Sequence, residues 1–277
     1  MFGELNSLTD FSEKSPPKRK FLLITDCQND GSFLIHHFLS LYIKGGFKVL
    51  FIALVQSFSH YSNVAQKLGI NLSSICESGQ VTYVDGLSCI SEALADESQQ
   101  DAFKNSHSST VGNENADHSN PFKNVRAPTF TLQPLYNRIK SSLGTETKPC
   151  LLLIDDLTAL LSVGVPLQQV TNFIHYCVTL MCHSPTVSDG CLVTLVHNDN
   201  DVDDEEFKLL WKQLCYLTNV EFQVKGLSSG YCKDVHGQLT INIRDQRNIK
   251  EGSKVVQYTT HDKNVTCFAP GMSKAVL

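Results

Sequence analysis

No run in the 277-residue chain approaches the roughly 18 uncharged apolar residues that read as a membrane-spanning helix. The first 20 residues lack the uninterrupted apolar stretch of a secretory signal, because Glu4, Asp10, Glu13 and Lys14 fall within them. These absences predict a soluble intracellular protein with no membrane partner. An excess of positive charge is also missing. Lys and Arg number 23 against 28 Asp and Glu, for a net charge of −5 and a pI near 6.0. That excludes nucleic-acid binding by bulk attraction and leaves room only for local contacts, or contacts shared with partners. Cysteine is not scarce, but the ten cysteines are spread from Cys27 to Cys267 and sit mostly inside apolar runs. In a cytosolic chain such cysteines act as small hydrophobes rather than as a disulfide framework.

With 42% hydrophobic and 18% charged residues, the chain has enough apolar material for one large α/β core. One domain over 1–277 is expected. Residues 21–26 and 48–55 are apolar without alternation, as in parallel strands covered on both faces. Further strands are expected at 80–84, 150–155 and 191–197, with helices at 33–43, 62–68, 128–143 and 167–182, the last being the longest. A helix following the acidic stretch 199–206 runs to about Tyr216, its acids suiting the positive end of the helix dipole. Residues 96–126 are rich in Ser, Asn, Gln, Asp and His and predict a polar mobile loop. From 220 onward, short strands at 220–224, 238–243, 255–260 and 265–268 alternate with turn signals and predict antiparallel hairpins. The sum is a RecA-like α/β fold, with a mostly parallel central sheet flanked by helices and closed by C-terminal hairpins.

Such a fold binds nucleotide when GxxxxGK[ST] follows its first strand, because the loop amides curl around phosphate, the lysine neutralises it and the hydroxyl holds magnesium. Here the segment runs from Asp26 to Phe33. Gly31 is the only motif residue left. Asp26 replaces the first glycine, Ser32 the lysine and Phe33 the hydroxyl. A carboxylate about 5 Å from a phosphate charge costs roughly 3 kcal/mol at an effective dielectric near 20, or about two decades of affinity. No functional phosphate loop is expected. Gln56, where many RecA-like ATPases carry a glutamate, cannot accept a proton from water. Of the two acids that end an apolar strand, Asp155 or Asp156 reads as the cap of a helix beginning near Leu157 rather than as a magnesium ligand.

Other chemistries find less support. The run Gly226 to Gly230 matches GxSxG but lacks the following helix that a nucleophile elbow requires. His175, Cys177, Cys182 and His183 do not converge on one helix face. The stretch 199–206 has Asp204 where a calcium loop needs glycine. His36 and His37, being adjacent, point to different faces, one toward the surface and one toward the core. No catalytic residue, metal or cofactor is expected. Two alternatives remain open: an active NTPase with an irregular phosphate loop, and a recombinase-like paralogue that binds single-stranded DNA. The absence of lysine between Phe21 and Tyr42 weighs against the first, and the acids Asp101, Glu114 and Asp117 of the polar loop against the second.

Taken together, DGSFLIHHFLS, ALVQSFSHY, LLLIDDL, FIHYC, GYCKDVHGQL and the tail GMSKAVL resemble the family of the sixth Elongator subunit. The resemblance runs the length of the chain except for the polar loop. It implies a nucleotide-free RecA-like subunit, assembled with the fourth and fifth Elongator subunits into a hetero-hexameric ring. It implies contact with the remaining Elongator subunits, binding of tRNA through the ring, and support of wobble-uridine modification at position 34 by chemistry residing elsewhere. Such a protein is expected in the cytoplasm and also in the nucleus. Lys233, Arg244, Arg247 and Lys250 in the C-terminal hairpins are the candidate tRNA contacts.

Overall fold

Strand β1 (Lys20–Cys27) is buried at six consecutive positions, as its lack of alternation requires. A computed structural model describes residues 3–103, 120–144, 147–198, 205–227, 230, 232–244 and 250–271. Strands β2 (Lys48–Ala53), β3 (Val81–Asp85), β4 (Cys150–Ile154), β5 (Gly190–His197) and β6 (Val220–Lys225) lie parallel to β1. Three antiparallel strands follow, β7 (Gly237–Arg244), β8 (Lys250–Thr260) and β9 (Val265–Phe268). The order across the sheet is β3-β2-β4-β5-β1-β6-β7-β8-β9. This is a mixed α/β architecture that fits the expected RecA-like arrangement.

Because successive strand residues point to opposite faces, the two layers of helices divide the apolar side chains between them. On one face Phe21, Leu23, Leu50, Ile52, Leu152 and Leu192 pack under α5 (Gly86–Phe103), α6 (Gln133–Leu143), α7 (Thr158–Ser162), α8 (Leu167–Val178) and α9 (Glu205–Leu217). On the other, Leu22, Ile24, Val49, Phe51, Leu151 and Val193 pack under α1 (Gly3–Thr9), α2 (Ser32–Lys44), α3 (Phe58–Lys67) and α4 (Leu72–Glu77). Helix α2 is buried at every position from Leu34 to Ile43; His36 packs against the rings of His60 and Tyr61 on α3, and the Pro17 carbonyl accepts a hydrogen bond from the Tyr42 hydroxyl at 2.5 Å. The hairpin strands contribute Leu239, Ile241, Val256 and Tyr258 to this second core only. Their opposite face, with Thr240 and Asn242, continues past the last covering helix, α9.

Several expectations need correction. The polar loop expected at 96–126 is shorter: α5 extends to Phe103, and Phe122 and Val125 are buried in the first core. Its middle, 104–119, lies outside the described residues, as do 199–204 of the acidic stretch. At 18 residues α5 is also longer than α8, which ends in a π-helical turn at Thr179–His183. The polarity of α5 hid it, because a helix resting on the core through Ile90 and Ala93 needs only a narrow apolar stripe. His36 is not a surface residue; both His36 and His37 are buried. Burial lowers the His36 imidazole to about 4 and that of His37 to about 3, so both are neutral at physiological pH.

Candidate functional site: the altered phosphate loop

The segment joining β1 to α2 lies where a phosphate loop would, at the carboxyl end of the central strand. Its amides are already bonded to its own side chains. The Gly31 amide donates to Asp26 Oδ2 at 3.0 Å, that of Ser32 to Asp30 Oδ1 at 2.8 Å, and that of Asp30 to Asn29 Oδ1 at 3.0 Å. The Ser32 hydroxyl also donates to Asp30, at 2.9 Å. Two carboxylates thus occupy the donors at the start of α2 that would otherwise face an anion, and they suit the positive helix end for the same reason phosphate does.

Asp26 is only 3% exposed, so its charge requires a partner. Parallel register sets it beside His197 at the end of β5, and Asp26 Oδ1 lies 2.5 Å from His197 Nδ1. The other ring nitrogen, Nε2, lies 3.2 Å from Asp156 Oδ2. Hydrogen bonds to Asp156 and then Asp26 raise the His197 pKa to about 10, against the opposing effect of burial, so the ring is an imidazolium at neutral pH. A cation held between two acids stands where the lysine and magnesium of an ATPase would neutralise phosphate. The sequence reading did not pick out His197, and its sole signal was its place at the end of a strand.

The rest of the cleft is also bonded internally. Asp156 accepts from the Thr158 amide at 2.8 Å and from the Thr158 hydroxyl, a bond within the turn ahead of α7, whose cap position is Leu157 and carries no side-chain cap bond. Asp155 does something else. It accepts from the Leu54 and Val55 amides at 2.7 and 3.1 Å and from the Tyr61 hydroxyl at 2.7 Å, tying β4 to the end of β2. Burial raises its carboxyl above the usual range, while these three hydrogen bonds oppose the rise.

Phe33, at the position of the magnesium hydroxyl, packs on Tyr258 of β8 with ring centroids 5.0 Å apart. Asn29 donates to the His236 carbonyl at 2.8 Å and to the Tyr258 hydroxyl at 2.7 Å. The hairpins therefore clamp the loop from the side. Gly237 permits this approach, since a Cβ there would lie 2.5 Å from Asn29 Nδ2 and 2.6 Å from the Lys225 carbonyl oxygen.

Of the four candidate basic residues, Lys233, Arg244 and Lys250 lie within the described residues. Lys233 is exposed ahead of β7, whereas Arg244 ends that strand, about 24 Å from its first residue, Gly237, along an extended chain. Arg244 pairs with Glu221 at 3.3 Å, and Glu221 is 1% exposed, so the charge of this arginine is balanced inside the protein. Lys250 begins β8 opposite Arg244, and Arg247 lies outside the described residues. The Gly226–Gly230 segment leads to strand β7 and not to a helix. Among the described residues no group of three or more His, Cys, Asp or Glu is placed to hold a metal. Cys177 and Cys182 are buried while His175 and His183 are exposed. No described helix is long and apolar enough to cross a membrane.

A family model described as Elongation complex protein 6 matches residues 2–262. Elongator complex protein 6 of Xenopus tropicalis is 41% identical, with the whole of both chains covered, and that of Homo sapiens is 38% identical with the same coverage. The Drosophila melanogaster protein of that name is 27% identical over 91% of this chain and 90% of its own. With a match spanning nearly all of its length and full-length relatives at this level of identity, the chain belongs to the Elongator complex protein 6 family.

Proposed function

We propose that the chain is a non-catalytic subunit of the Elongator complex. In this reading it forms a hetero-hexameric RecA-like ring with the fourth and fifth Elongator subunits, contacts the remaining subunits through that ring, and holds no nucleotide in its altered phosphate loop. The ring binds tRNA and supports modification of the wobble uridine at position 34, with the chemistry supplied by another subunit. One observation carries the non-catalytic part: the amides that would cradle phosphate are bonded to Asp26, Asp30 and Asn29. A nucleotide would have to displace two carboxylates and the imidazolium between Asp26 and Asp156. The same bonds weigh against an NTPase with an irregular loop. Ring geometry outlives nucleotide chemistry here because internal charges fill the cleft.

Lys233, Arg247 and Lys250 carry the RNA contacts in this reading, and Arg244 contributes position more than charge because Glu221 balances it. The protein acts in the cytoplasm, with the nucleus as a second location. Co-expression with the fourth and fifth subunits, followed by native mass spectrometry, should yield a six-chain assembly, and this chain with ATP and magnesium should show no hydrolysis. Charge reversal of Lys233, Arg247 and Lys250 should flatten the salt dependence of tRNA binding by that assembly. ATP hydrolysis by the purified chain would overturn the non-catalytic reading, and a chain that stays alone with its partners present would overturn the ring.

A further inference from the structure

Beyond the altered phosphate loop, the sheet forms a second concave site where the cover of α9 gives out. Trp211, Lys212, Cys215 and Tyr216 of α9 face Glu221, Gln223, Asn242 and Arg244 of β6 and β7 across a pocket of about 350 Å³, within the range of about 300–1,000 Å³ usual for small-ligand sites. A second cavity of about 140 Å³ shares Trp211 and Gln223 with it and is lined further by Asp26, Asn198 and Lys225, toward the altered phosphate loop. We propose that this pocket binds a nucleotide, with the base against Trp211 and Tyr216 and the phosphate at Lys212.

Four observations support this. First, the walls are aromatic: Tyr216 is 77% exposed, although it serves no core, and Trp211 is fixed in place by an indole N–H that donates to Glu221 at 3.2 Å. A fixed indole beside an exposed phenol is a stacking platform for a planar ring. Second, Glu221 does not repel the ligand. Its oxygens accept from Trp211, Gln223, Asn242 and Arg244, and its charge is matched by Arg244. The ionic lining is thus two cations, Arg244 and Lys212, against one carboxylate, for a net charge of +1. Third, Arg244 Nε is shut off from water without an acceptor. An unmet donor of this kind costs about 1–3 kcal/mol, and a small tilt of the guanidinium toward the acceptor edge of a base relieves it. Fourth, an acidic side chain would satisfy the two cations but leave the aromatic walls unstacked.

The ligand is a free nucleotide or a nucleotide within single-stranded RNA. The second source deepens the RNA reading proposed above and rests on it. The first does not. Trp211 is the chain's one tryptophan, so intrinsic fluorescence reports this pocket directly. The full chain would be titrated with nucleoside monophosphates, with a short oligouridylate and with an acetylated oligoglutamate, following Trp211 emission. Saturable quenching by the monophosphates supports a free-nucleotide site, and quenching by the oligonucleotide alone supports the RNA source. Lys212→Ala and Tyr216→Ala alter exposed side chains and should keep the wild-type melting temperature while weakening binding about tenfold each. Lys67→Ala, on α3, should bind as wild type. No quenching at millimolar ligand, quenching that survives both pocket variants, or quenching by oligoglutamate alone would overturn the proposal. None of these results would touch the ring reading, which is decided by assembly mass and by the salt slope of tRNA binding.

Discussion

Replacing His197 with glutamine should remove a pH-dependent part of the stability. The imidazolium lies between Asp26 and Asp156, and its pKa rises from 6.5 unfolded to about 10 folded. Unscreened, that change corresponds to about 5 kcal/mol of preference for the charged ring. The His197 side chain is 50% exposed, however, so solvent screening reduces the stabilisation to about 1–2 kcal/mol. The sign follows from proton binding. Between pH 6.5 and 10 the folded chain holds a proton that the unfolded chain has released, so the stabilisation is fully present below pH 6.5 and is lost as pH rises toward 10. Burial also raises the thiols of Cys177, Cys191 and Cys215, which erodes stability at high pH in wild type and variant alike. The quantity to follow is therefore the difference between the two proteins. Urea unfolding of wild type and His197→Gln at intervals from pH 6 to pH 9 should show a gap that is widest at pH 6 and narrows steadily. A gap constant with pH would refute the imidazolium bridge.

Phe122→Ala should destabilise the fold by about 3–5 kcal/mol in denaturant melts, because its ring is fully buried in the first core despite the polar sequence around it. Arg244→Ala should cost about 3–5 kcal/mol by leaving the buried Glu221 carboxylate without its cation, and pairing it with Glu221→Gln should recover much of the loss. Gly237→Ala should cost about 1–3 kcal/mol in the same assay, since the added methyl group meets Asn29 and the Lys225 carbonyl.

The sequence determined the local states and the missing chemistry. Unalternating runs such as FLLIT and KVLFIA could only be strands covered on both faces, and Asp26, Ser32 and Phe33 removed the phosphate ligands whatever surrounded them. Periodicity failed where the buried stripe was narrow, as in α5, or where two side chains anchor an otherwise polar segment, as Phe122 and Val125 do. It also did not foresee that both adjacent histidines of α2 would be buried, His36 against the rings of His60 and Tyr61 on α3. What only the tertiary structure decided is which distant residues became neighbours. Asp26 meets a histidine 171 positions away because β5 pairs with β1, and Arg244 meets Glu221 because β7 folds back on β6. Strand order is set by the packing of whole layers, which no local pattern encodes. The charges that fill the cleft and the pocket beside α9 therefore appear only once the sheet is assembled.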